Sequence, residues 1–103
     1  MKVTILDTAE KDLESGYRFY KKHAQGLGTY FLDSLSSDID SLIFFGGMYR
    51  KVFGCHRLLS KRFPFAIYYR LADNEILVTA VIAYRKSPSW TRELSSKKQG
   101  EDS

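Results

Sequence analysis

Cysteine is almost missing from this chain: Cys55 stands alone among 103 residues. One thiol closes no internal disulfide, and His23 and His56 are too isolated to complete a metal signature with it. Apolar runs last only a few residues, against about 20 for a helix that crosses a bilayer. No membrane association is expected. The opening residues 1–7 meet an acid at Asp7, too early for the apolar core of a signal peptide. A cytoplasmic protein is expected. Gly-rich phosphate loops, GxSxG elbows and HExxH pairs are all lacking. Asp38 and Asp40 stand two apart in a helical pattern and so face different directions, which argues against a paired acid–base site. Conventional hydrolase chemistry finds no support, and no metal or cofactor is expected.

What the chain does hold is 44% hydrophobic and 27% charged residues, the profile of a folded globular protein. Its formal charge of +4 is unevenly spread. Residues 1–49 carry five Lys/Arg against seven Asp/Glu, a net of −2, whereas residues 50–98 carry eleven against three, a net of +8. A basic second half calls for an anionic partner, or is simply a solvated basic face. One domain is expected over residues 1–94. Residues 95–103 contain no apolar side chain and read as a disordered polar tail.

Hydrophobic period divides the domain in two. Residues 2–6, with Val3 and Ile5, suit a short strand. Asp7 followed by Glu10 has the spacing of a capping box. Ala9, Leu13, Tyr17, Tyr20 and Ala24 then form a helical stripe, with Gly16 on the same face where it permits close helix approach. Residues 25–28 (QGLG) make the connection to a second stripe of Phe31, Leu32, Leu35, Ile39, Leu42 and Ile43, ended by Gly46-Gly47. From there the period is 2. Residues 55–60 form one candidate strand. In residues 63–71, Phe63, Phe65, Ile67, Tyr69 and Leu71 point one way and Pro64, Ala66, Tyr68 and Arg70 the other. Asp73-Asn74 is a two-residue hairpin turn. Residues 75–84 are apolar on both faces, which places that strand inside the sheet. The expected fold is α+β: an N-terminal strand and a helical hairpin packed on a small, mostly antiparallel sheet.

The residues that could carry chemistry are basic and aromatic. Arg57, Lys61, Arg62 and Arg70 lie on or beside consecutive strands, and Arg85, Lys86 and Trp90 follow the last one. Metal-free phosphodiester cleavage needs cations on the scissile phosphate together with an acid–base group, and His56 and Tyr84 are available for that role. Cys55 reads as a small core residue.

In order along the chain, Ala9-x-x-Asp12-Leu13, Tyr20, residues 26–28 (GLG), Phe31, Leu35, Ile39, residues 54–59 (GCHRLL), residues 62–70 (RFPFAIYYR) and residues 83–88 (AYRKSP) with Trp90 resemble the RelE/ParE superfamily of bacterial toxins. The resemblance spans about residues 3–92. It implies the toxin half of a type II toxin–antitoxin pair. RelE-like members cut messenger RNA on the ribosome with cations on the sheet; ParE-like members poison DNA gyrase. Carried over by position, the first RelE cation falls at Arg57 and the arginine after the last strand at Arg85. Two other cations fall at Leu59 and Ala66, which hold no charge, and Trp90 near the catalytic tyrosine's place has no phenolic proton.

The ParE branch is the better match, and it implies no enzyme activity. The expected partners are a cognate antitoxin and DNA gyrase, with no sequence-specific DNA binding. The alternatives are a RelE-like endoribonuclease acting on the ribosome with mRNA, or a non-toxic relic that still binds antitoxin. Candidate binding residues are Arg57, Arg62, Arg70, Arg85, Lys86 and Trp90. Tyr17, Tyr20, Phe44, Phe45 and Trp90 are candidate apolar anchors for an antitoxin segment.

Overall fold

A computed structural model describes residues 2–48, 51–52 and 54–84. The elements run β1 (Lys2–Ile5), α1 (Asp7–His23), α2 (Leu27–Asp40), α3 (Leu42–Phe45), a 3-10 turn (Gly46–Met48), β2 (Lys51–Val52), β3 (Cys55–Leu59), β4 (Phe65–Ala72) and β5 (Glu75–Ala83). The sheet order is β1-β5-β4-β3-β2. Only β1 and β5 pair in parallel; the other pairs are antiparallel. The α+β class and the internal place of β5 agree with the sequence pattern. The two-residue β2 was missed because two residues carry no period.

The helical hairpin packs by close approach. Gly16 of α1 is buried, and a Cβ there would lie 2.6 Å from Cε2 of Phe31 on α2. Gly26 turns the chain between the helices at φ 81°, a left-handed conformation that glycine adopts without strain. Phe31 then meets Phe63 and Phe65 at ring distances of 5.2 and 5.0 Å, both edge to face, while Tyr20 stacks on it at 5.2 Å. Such pairs contribute about 0.5–1.5 kcal/mol each beyond the area they bury. Burial also raises the pKa of the Tyr20 phenol. Leu35, Ile39, Leu42, Ile67, Tyr69, Ile76 and Val78 continue this core between helices and sheet.

Several local expectations are corrected. Asp7 is the first helical residue, not the cap; Leu6 holds that place and no side chain caps it. Asp7 and Glu10 instead put negative charge in the first turn, where the helix dipole favours it. The second helix breaks at Ser41 rather than at Gly46, because the Ser41 hydroxyl turns back to donate to the Asp38 carbonyl at 2.6 Å. Ala24 and Ile43 are exposed, as is Leu71 near the end of β4. Cys55 is only half-buried.

The largest correction concerns β5. Tyr68 pairs with Ala80 and Tyr69 with Val78, so Thr79 is an extra residue in the ladder. A bulge of this kind shifts the alternation by one. Ile76 and Val78 face the helices before it, and Val81 and Ala83 do so after it, leaving Ile82 51% exposed on the other side. The strand reads as apolar on both faces because its inward phase changes midway. Helix α1 supplies the bulge with partners. The Thr8 hydroxyl donates to the Thr79 carbonyl at 2.7 Å, and the Val81 amide donates to Oδ2 of Asp12 at 2.9 Å.

Two substitutions test this packing. Gly16→Ala is expected to lower stability by about 1–3 kcal/mol through overpacking against Phe31, read as a lower urea midpoint at unchanged slope. Asp12→Ala leaves the Val81 amide without its acceptor and is expected to cost about 1–3 kcal/mol. Asp12→Asn retains an oxygen and should keep most of that stability in the same titration.

Candidate functional site

The helices cover one face of the sheet, and no helix among the described residues covers the other, the open face. Alternation assigns Arg57 and Leu59 of β3, Ala66, Tyr68 and Arg70 of β4, and Leu77, Ala80 and Ile82 of β5 to the open face. Arg57 pairs with Tyr68, which in turn pairs with Ala80. Arg70 lies two residues further along β4 than Tyr68, so the two arginines sit diagonally within reach of one ligand. In the next row Leu59 pairs with Ala66, and Ala66 with Ile82. Leu59 is 43% exposed, while Ala66, the small residue between two large ones, is 1% exposed.

The β3–β4 loop closes one end of this face. An open cavity of about 230 Å³ is lined by Ser60, Lys61, Arg62, Phe63, Pro64 and Tyr84. Two bonds fix the loop: the Ser60 amide donates to the Phe65 carbonyl at 2.8 Å, and the Ser60 hydroxyl donates to Oδ2 of Asp38 at 2.7 Å. Phe63 anchors it from below as part of the aromatic core. Among the described residues the one ion pair is Arg18 with Glu14 on α1. Arg57, Lys61, Arg62 and Arg70 therefore have no carboxylate partner among them.

The candidate residues separate into two groups. Arg57 and Arg70 share the open face, and Arg62 joins Lys61 and Tyr84 at its end. Arg85, Lys86, Trp90 and the 95–103 tail lie outside the described residues. His56 pairs with Tyr69 and stacks on its ring, 5.2 Å between centroids at 17°. Since Tyr69 is buried on the helix side, His56 is on the face away from Arg57. The structure does not bring the two together as acid–base group and cation. Tyr17 and Tyr20 pack against the core as half-buried rings, whereas Phe44 and Phe45 are 77% and 49% exposed. Sequence reasoning missed the loop cavity and the Asp38–Ser60 bond. The short turn of residues 60–64, with two cations beside a proline, was the available signal for the first.

No protein-family model matches the chain, and no curated protein matches it in sequence. Among solved structures, a chain titled "Chromosomal ParDE TA system from P. aeruginosa" superposes with a TM-score of 0.69, covering 82% of this chain and 97% of that one. The fold is ParE-like. Sequence identity over the match is 18%, so the likeness is one of architecture. The ParE-like fold agrees with the family resemblance of the sequence.

The loop's anchoring can be tested directly. Ser60 is 6% exposed, and Ser60→Ala removes its bond to the half-buried Asp38 carboxylate. A loss of about 1.5–3 kcal/mol is expected for a hydrogen bond to a charged group, measured by chemical denaturation, with the fold unchanged by circular dichroism.

Proposed function

We propose that this chain is the toxin of a type II toxin–antitoxin pair: a ParE-like, non-enzymatic inhibitor that binds DNA gyrase in the cytoplasm and is neutralised by a cognate antitoxin. Residues 1–94 form the toxin domain and residues 95–103 its polar tail. The observation that carries the reading is the uncharged row Leu59–Ala66–Ile82 on the open face of a ParE-like fold. The RelE pattern puts cations at Leu59 and Ala66, and here those two positions are paired neighbours without charge, Leu59 presenting alkyl surface and Ala66 almost none. Losing one well-placed electrostatic donor costs about 10²–10³ in rate, and this row lacks two. His56, on the opposite face, does not supply the acid–base group.

An apolar row beside cations that have no carboxylate partner among the described residues is suited to protein contact. Alkyl surface supplies affinity by burial, while cations steer and orient an acidic partner. The solved neighbour belongs to a ParDE TA system by its title, which supports a toxin–antitoxin role for this chain.

Induced expression without antitoxin is expected to arrest growth, and the purified chain in excess is expected to inhibit gyrase supercoiling or trap cleaved DNA. Toeprinting on translating ribosomes should show no A-site cuts. Unaltered supercoiling without trapped breaks would overturn the gyrase target. A-site cuts would make the chain a ribonuclease, and absence of growth arrest would make it a relic.

A further inference from the structure

The β3–β4 loop is polar in a way that its own fold does not use. Across residues 60–64, the Ser60 amide is taken by Phe65 and Pro64 has no N–H. The amides of Lys61, Arg62 and Phe63 have no acceptor among the described residues. Both cationic side chains are exposed, with no carboxylate partner there. The backbone that carries them is nevertheless held in place. Ser60 is tied to Asp38 and to Phe65, Phe63 is buried against Tyr20 and Phe31, and the Tyr84 amide donates to the Pro64 carbonyl at 3.0 Å. A rigid cationic loop with unspent donors faces an open cavity of about 230 Å³, with Tyr84 as a further wall.

Charge fixes the sign of the occupant. The nearest acid named in the loop's bonding is Asp38, half-buried and engaged with the Ser60 hydroxyl. One carboxylate against Lys61 and Arg62 leaves the cavity positive. The surroundings then choose between anions. Leu59 directly precedes the loop, and Ile82 lies two residues before Tyr84, both substantially exposed and in one cross-strand row. A phosphodiester chain would satisfy the cations but set charged oxygens against that alkyl surface. A peptide that alternates acidic and apolar side chains matches both parts.

We infer that the cavity between the β3–β4 loop and the end of β5 is a carboxylate pocket. It takes an Asp or Glu side chain of a peptide segment whose neighbouring apolar residues cover Leu59 and Ile82. The inference rests on the toxin–antitoxin reading, which supplies a partner chain, and it assigns the chemistry by which part of that partner is held. Lys61 and Arg62 pair with the carboxylate, and the free loop amides donate to it.

The probe is a short acidic–apolar peptide, acetyl-Leu-Glu-Val-Glu-Leu-amide, titrated into the 15N-labelled full chain. Controls are its Gln-for-Glu counterpart, inorganic phosphate and an oligothymidylate. Saturable shifts of the Lys61, Arg62 and Phe63 amide signals are expected with the Glu peptide. Binding should weaken about tenfold with the Gln peptide and in a Lys61→Ala/Arg62→Ala variant, the scale set by removing a charge-assisted contact. It should persist in Lys61→Arg/Arg62→Lys. Equal binding of the Gln peptide, or no saturable shift at the loop, would overturn the pocket. Shifts with phosphate or oligothymidylate but not with peptide would overturn it in favour of a phosphate site. Growth arrest on induction separates the two readings. Arrest without peptide binding removes only the pocket, and peptide binding without arrest leaves the pocket and removes the toxin.

Discussion

The extra residue in β5 is the constraint on which the rest of the domain depends. Without it, the inward phase of Ile76 and Val78 would continue through Ala80 and Ile82, and Val81 would point away from the helices. A bulge leaves its extra residue out of the ladder, and buried backbone groups left without a partner cost about 1–3 kcal/mol each. Helix α1 meets that cost with Thr8 and Asp12, one turn apart on the same side. The Leu6 amide adds a bond to the Val78 carbonyl where β1 passes into α1. The hairpin is therefore attached to the sheet by directional bonds at the site of the irregularity as well as by apolar packing. Gly16 and Phe31 then carry that position across to α2.

The same shift of phase shapes the open face. Because Val81 and Ala83 turn inward after Thr79, Ile82 turns outward beside Ala66 and Leu59. A core requirement on one side of the sheet thus produces an apolar row on the other. Arg57 borders this row from the second cross-strand line, Arg70 lies one line further on, and Lys61 and Arg62 border the row from the loop. No acid among the described residues neutralises any of the four. The surface has apolar ground within a cationic margin.

Period carried the sequence reading a long way. The stripe from Ala9 to Tyr20, the stripe from Phe31 to Leu42, and the alternation from Phe63 to Tyr69 are all dense enough to place helices and strands. Asp73 does sit at φ 53° in the expected hairpin turn. The failures have local causes. The spacing of Asp7 and Glu10 fits a capping box equally well whether or not the helix starts one residue earlier, so spacing alone misplaces the cap. The Ser41 hydroxyl bonds the Asp38 carbonyl where the helix breaks, a local competition that composition does not reveal. Thr79 is the clearest case. A bulge is a relation between two strands, and a strand whose phase flips looks the same in one dimension as one buried on both sides. Of the site, the candidate cations were legible as residue types, but their division between face and loop depended on register.

Register also bears on why this face is read as a binding surface. Stabilising a developing charge requires donors set in advance within hydrogen-bond reach of one point. The strand geometry divides the available groups. His56 is turned to the helix side by the same alternation that exposes Arg57, since consecutive strand residues point to opposite faces. Tyr84 lies at the loop end with Lys61 and Arg62, and the row Leu59–Ala66–Ile82 lies between that end and the Arg57–Tyr68 line. A one-residue slip of β3 would exchange the faces, His56 for Arg57 and Leu58 for Leu59, and would still leave cation and imidazole on opposite sides. Their separation follows from their being consecutive in one strand, and the core that holds Leu58 against Ile67 decides which of the two faces outward. What the arrangement retains is an apolar row with cations at its edges.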